Sequence, residues 1–305
     1  IMSVMPLGLI ALCTRPSTVL VLVLVSAAGM GGINSLYADL LRSCYPPAAR
    51  NRVFGFVKFV EQLTIMSTAF IVGIWLDNDH GAYRIYFPAS VVVIGVGLWL
   101  LYRISGERLF QERLRVQPTT PLFTSLCGAY SGMASVFRED DDFRRFETAY
   151  CIYGLGWMIC YALLPFVVVD VLHLTYGEVA WSTQVATQMI LLLMLVPASY
   201  LMDRLGPIRL SAWCFLTLAI YPLGLILARD VWSLTTVSIL YGISMAGVNL
   251  SWTLGPVSLA RSASMAPQYL AIHATLTSVR AILGQFPAVA LYTWTRSIYL
   301  PLAIA

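Results

Sequence analysis

The sequence predicts an all-α, polytopic membrane protein with about nine to ten transmembrane helices. Three observations carry that reading. Hydrophobic residues fill 59% of the 305 positions and charged residues only 11%, where a soluble domain carries about 25% charged residues. Mean hydropathy is +0.77. The apolar excess comes in repeated blocks of about 20 residues, enough to cross roughly 30 Å of hydrocarbon at about 1.5 Å per residue.

The elements follow in chain order. Ile1 to Leu12 reads as the outer part of a first helix, and Thr14-Arg15-Pro16-Ser17 as a turn with proline near a helix start. Val19 to Leu41 is a second helix, rich in small residues at Ser26 to Gly29, Gly31 and Gly32 that let backbones approach closely in lipid. A basic loop from Arg42 to Arg52 is broken by Pro46 and Pro47. Phe54 to Leu76 is the third helix, Asp77 to Gly81 an acidic turn, and Ile85 to Tyr102 the fourth helix.

From Arg103 to Arg144 the chain is polar and cannot span. It reads as a linker, with an interfacial helix around Glu107 to Val116. Apolar runs resume at Thr148 to Leu172 and Val179 to Met202, separated by the turn His173 to Glu178. They continue at Ile208 to Ala228, Val231 to Val257 and Gln268 to Trp294. The expected organisation is a half-bundle over residues 1–104, a linker over 105–144 and a second half-bundle over 145–305. The chain opens inside one apolar run and closes inside another, Ser297 to Ala305, so it reads as a fragment of a longer protein.

Orientation follows from basic residues in short loops. Arg42, Arg50, Arg52, Arg204, Arg209, Arg261 and the arginine-rich linker fall on one side, which is expected to be cytoplasmic. Arg15, Arg84, Arg229 and Arg296 fall on the other, accompanied by Asp77, Asp79, Glu178 and Asp230. The net charge is +4, with Lys58 the only lysine. The basic residues sit at helix ends and form no stripe, which excludes a nucleic-acid partner. The six cysteines make no C-x-x-C pair and no histidine cluster joins them, so neither metal site nor redox pair is expected. No nucleophile motif or phosphate loop appears, and no enzymatic activity or cofactor is expected.

One loop carries a resemblance. Ser199-Tyr200-Leu201-Met202-Asp203-Arg204-Leu205-Gly206-Pro207-Ile208-Arg209 is similar to the motif G-x-L-a-D-R-x-G-R-[RK] of the major facilitator superfamily, the twelve-helix secondary transporters. The Asp, Arg, Leu and Gly positions match, Ser199 replaces the leading glycine, and Pro207 takes the first basic position. Tyr153-Gly154-Leu155-Gly156-Trp157 through Leu164-Pro165-Phe166 is similar to the first helix of a six-helix half. The resemblance implies that Asp203, Arg204 and Gly206 form a gating loop, with Gly206 permitting the tight turn.

The chain also resembles itself. Gly31-Gly32-Ile33-Asn34-Ser35-Leu36-Tyr37 matches Ala246-Gly247-Val248-Asn249-Leu250-Ser251-Trp252, as two similar halves should. Aligned this way, the chain runs from the family's third helix to the beginning of its twelfth. Asn34, Tyr37, Asn249 and Trp252 then fall on helices that line the family's central cavity. Tyr153 and Trp157, on a stripe with Tyr150 and Tyr161, lie deep enough to touch substrate. Packing between helices is the competing role for all of these residues.

Charges inside a span cost roughly 2.5–3.5 kcal/mol at mid-depth on insertion scales, so they face a cavity or a partner. Lys58 and Glu61 share a face of the third helix and either pair statically or leave Glu61 to couple protons. A carboxylate in low dielectric favours its protonated form. Arg280 lies near mid-depth on a polar stripe with His273, Thr277 and Gly284. It stays protonated and needs a counter-ion, either Glu61 or an anionic substrate.

The expected protein is therefore a monomeric, multi-pass transporter in the inner (plasma) membrane. Its partners would be membrane lipid, a small-molecule substrate, with an organic anion favoured, and protons. A non-transporting receptor or assembly protein of the same fold is the alternative.

Overall fold

A computed structural model describes residues 4–13, 15, 17–26, 47–115, 122–262 and 265–305. The chain divides into two compact units, residues 1–64 with 71–120 and residues 65–70 with 121–305. The described residues include no strand. Seven helices among them are long and apolar enough to cross a membrane, and a shorter apolar helix covers Ser17–Ser26.

The first unit holds α1 (Met5–Leu9), α2 (Ser17–Ser26), α3 (Pro47–Asn78) apart from residues 65–70, and α4 (Tyr83–Arg115). The stretch read as the outer part of a first helix holds a five-residue α-helix followed by a 3₁₀ turn, Ile10–Leu12. It packs on α4, where a side chain at Gly8 would meet Val91 Cγ2 at 3.0 Å. Asp79 Oδ1 accepts the Gly81 N–H at 2.8 Å in the turn between α3 and α4, a side-chain cap that suits aspartate to turns. The stretch that carries Asn34 and Tyr37 lies outside the described residues. α4 runs past Tyr102 to Arg115, so the polar stretch after Tyr102 is a helical extension. Its Glu, Arg, Leu and Gln residues are strong helix formers.

The second unit begins with α5 (Leu122–Glu139) and α6 (Asp141–Phe166), the latter prolonged by a π turn, Val167–Val171. α7 spans Tyr176–Leu205 and includes a π turn at Ala180–Val185. α8 spans Pro207–Leu227 and breaks at Ala219. Pro222 accounts for the break, because it has no N–H to offer the carbonyl four residues earlier. α9 (Val231–Leu259), α10 (Ala266–Thr295) and α11 (Tyr299–Ile304) complete the unit.

Local chemistry fixes the helix starts. Asp140 caps α6 by accepting the Phe143 N–H at 3.0 Å, and Asp141 and Asp142 place negative charge in its first turn, where the helix dipole favours it. The acidic run read as the end of a linker is thus a helix start. Thr175 with Glu178, and Asp230 with Ser233, make capping boxes at α7 and α9. Between α7 and α8, Gly206 adopts φ +77°, a conformation that disfavours any side chain.

In lipid, burial of apolar surface does not separate core from exterior, so close packing and polar ties hold helices together. Ile152, Val196, Leu216 and Trp232 accordingly point outward. The α6–α10 contact is one such seam. Phe143 packs at a tilt against Tyr269 with centroids 4.4 Å apart, Glu147 meets His273, Gly154 lies under Arg280, and Met158 faces Gly284. Every one of these pairs is 126 residues apart, as Glu147 and His273 are. A constant offset means that the two helices run parallel in fixed register, and steps of four and seven keep the contacts on one face.

Candidate functional site

The site grows from the middle of that seam. Arg280 is 4% exposed, although it carries a charge. Its Nη1 donates to the Tyr150 carbonyl at 2.6 Å, and its guanidinium carbon lies 5.9 Å from the ring centres of both Tyr150 and Tyr153. A carbonyl in an α-helix points toward the residue four places on, so Tyr150 aims its oxygen toward position 154. Gly154 leaves that oxygen uncovered. A Cβ at 154 would overlap Arg280 Cδ, Nε and Cζ. Nε itself is buried and has no hydrogen-bond partner among the described residues.

Two turns nearer the start of both helices lies a buried acid–base pair. His273 is fully buried and Glu147 is 2% exposed. His273 Nδ1 stands 2.8 Å from Glu147 Oε1 and 3.1 Å from Oε2. Tyr150, Trp252 and Phe146 surround the imidazole with ring centres 4.8, 5.2 and 5.9 Å away. Tyr150 also reaches Ser211 on α8 and Ser251 on α9 through its hydroxyl, at 3.3 and 3.1 Å. One tyrosine therefore ties three helices around the charged residues.

Beside this core runs a groove of about 540 Å³ between α6 and α8, lined by Tyr153, Trp157, Phe215 and Tyr221. Tyr153 stacks on Phe215 at 4.1 Å. Trp157 Nε1 donates to the Tyr241 hydroxyl at 2.9 Å. At the helix-start end, the Tyr269 hydroxyl donates to Asp140 Oδ2 at 2.6 Å and Arg261 approaches the same oxygen at 3.6 Å. Burial works to raise the Asp140 pKa. The hydrogen bonds from Tyr269 and Phe143 and the Arg261 charge outweigh it, so the net shift is downward.

Of the residues expected to bind substrate, Tyr153, Trp157, Trp252 and Arg280 belong to this one cluster. Asn249 does not, because it is exposed on α9 between buried Val248 and Ser251. Asn34 and Tyr37 lie outside the described residues. Glu61 is exposed on α3 in the first unit. Arg280 takes its contacts from Tyr150, Tyr153 and the field of Glu147. The aromatic stripe divides, with Tyr150 buried and Tyr161 60% exposed. In the last turn of α7, Asp203 and Arg204 are exposed, and the Arg204 guanidinium sits 4.5 Å over the Tyr200 ring.

Glu147 is the residue that sequence reasoning misses. The apolar run read from the sequence begins at Thr148, whereas α6 starts two turns earlier. Among the described residues no three His, Cys, Asp or Glu side chains converge to hold a metal ion.

No curated protein matches the chain. The profile of the Major Facilitator Superfamily matches residues 1–285. With seven membrane-capable helices and no strand among the described residues, the chain belongs to the Major Facilitator Superfamily and is a multi-pass membrane transporter.

Proposed function

We propose that the protein is a secondary active transporter that carries a small organic anion together with protons across the inner membrane. Substrate would bind between the two half-bundles, which alternate access to it. The observation that carries this reading is the buried Arg280, a fixed positive charge with an unpartnered Nε and aromatic neighbours. Such a charge costs several kcal/mol to keep out of water, and recognition of an anion gives a reason to keep it. Tyr153 and Trp157 supply groove walls beside it, and Asn34, Tyr37, Asn249 and Trp252 are the repeat-related candidates. Glu61 is the proton-coupling carboxylate in the first unit, and Asp203, Arg204 and Gly206 form the gate. A receptor or assembly protein of this fold is the second reading, but an uncharged seam would serve it at lower cost.

The test is uptake of labelled organic anions into proteoliposomes under an imposed pH gradient. Wild type should accumulate at least one anion, Arg280→Ala should lose its affinity, and Glu61→Gln should lose the dependence on the gradient. Uptake unchanged in Arg280→Ala would make the arginine structural. Uptake by Glu61→Gln that still follows the gradient would remove Glu61 from coupling.

A further inference from the structure

We propose that the Glu147–His273 pair is a second proton-binding site, and that its proton sets the net charge of the cluster around Arg280. The proposal rests on the transport reading above and adds a named acceptor atom to it.

The proton count follows from geometry. Ionised carboxylate oxygens only accept hydrogen bonds, and both oxygens of Glu147 face His273 Nδ1. With Glu147 taken as ionised, Nδ1 carries the hydrogen. Nε2 is buried with no partner among the described residues. A hydrogen there would be a buried, unsatisfied donor, at a cost of about 1–3 kcal/mol, so the resting imidazole leaves Nε2 bare. Glu147 then contributes −1, His273 nothing and Arg280 +1, and the cluster is neutral.

Nε2 is the vacant place for one more proton. Three aromatic rings pack around the imidazole, two of them edge-to-face and one tilted. Protonation at Nε2 breaks no other bond and makes the contact with Glu147 an imidazolium–carboxylate one, which offsets the unpaired Nε2–H, and it leaves the cluster at +1, ready for a monovalent anion. Proton and anion would then enter together with no net charge moved.

Few other ionisable groups face the pair. Arg280, further along α10, interacts electrostatically with Glu147. Tyr150 stands against His273 from α6. Tyr269, one turn back on α10, is engaged with Asp140, which Arg261 approaches from beyond the end of α9. α9 offers Trp252 and Ser251, and α8 offers Ser211, none of them charged.

The test is ¹⁵N-histidine NMR on the full chain in lipid nanodiscs, with no substrate added. The chain has three histidines, and His273→Gln identifies the relevant signals. At pH 8.5, His273 should show a protonated Nδ1 and a bare Nε2. At pH 5.5, both nitrogens should be protonated. Glu147→Gln should lose the Nδ1 preference and fail to hold the second proton at pH 5.5, while Glu61→Gln should match wild type. Glu147→Asp, which keeps the carboxylate, should retain the second proton and covers the case in which Glu147→Gln does not fold. A wild-type His273 spectrum identical at the two pH values would overturn the proposal. So would a second proton that Glu147→Gln retains. If His273 behaves as expected but no anion is taken up, the transport reading falls and the proton site stands.

Discussion

Replacing Gly154 with alanine tests the seam around Arg280. On helix propensity alone, Gly→Ala inside a helix should stabilise by about 1 kcal/mol. Here the new Cβ would occupy the space of Arg280 Cδ, Nε and Cζ. Overpacking of that kind costs about 1–3 kcal/mol. If the guanidinium swings away instead, it forfeits its bond to the Tyr150 carbonyl, a charged hydrogen bond worth about 1.5–3 kcal/mol. Set against the propensity gain, the net loss should be about 0–2 kcal/mol. In an Arg280→Ala background the clash disappears, and the same substitution should stabilise by about 1 kcal/mol. The two sites should therefore couple by about 1–3 kcal/mol in a double-mutant cycle. Equilibrium unfolding in dodecylmaltoside, driven by SDS and followed by tryptophan fluorescence, measures each corner. Additivity within about 0.5 kcal/mol would refute the contact.

Two further outcomes are expected. Asp140→Ala removes the cap of α6 and should cost about 0.5–2 kcal/mol at neutral pH. The folded state depresses the Asp140 pKa, so its stabilisation is present above the unfolded value and fades as pH falls through the lower folded one. Unfolding curves for wild type and Asp140→Ala should therefore converge below about pH 4. A membrane-impermeant thiol reagent should modify Tyr176→Cys and Asp203→Cys from opposite faces, since they lie at opposite ends of α7. Labelling of both from one face would show that α7 does not span.

Hydropathy made the spans of the second unit legible, because a 20-residue apolar block has few alternatives in a bilayer. Gly206 was legible too, since the sharp turn between α7 and α8 needs a positive φ. Arg280 declared itself by its cost, as a charge near the middle of an apolar run. Its true neighbours did not, because a sequence says which face of a helix is polar but not which helix covers it. The 126-residue offset of α6 and α10 is a property of packing. One signal for Glu147 was present nonetheless. Asp140 followed by Asp141 and Asp142 is a helix start, and reading it so would have placed Glu147 two turns inside α6. Asn249 shows the converse. Its likeness in sequence to the stretch around Asn34 does not fix how α9 is rotated.

The central claim is that Arg280 serves an anionic substrate, and charge-selective binding tests it most directly. Purified wild type, screened by thermal shift against small organic anions, cations and neutral solutes, should be stabilised by at least one anion. An anion at about 100 times its dissociation constant should add about 2.7 kcal/mol of stability, and Arg280→Gln should lose that gain. A cation or neutral solute as the sole stabiliser, or an anion that protects Arg280→Gln equally, would contradict the account.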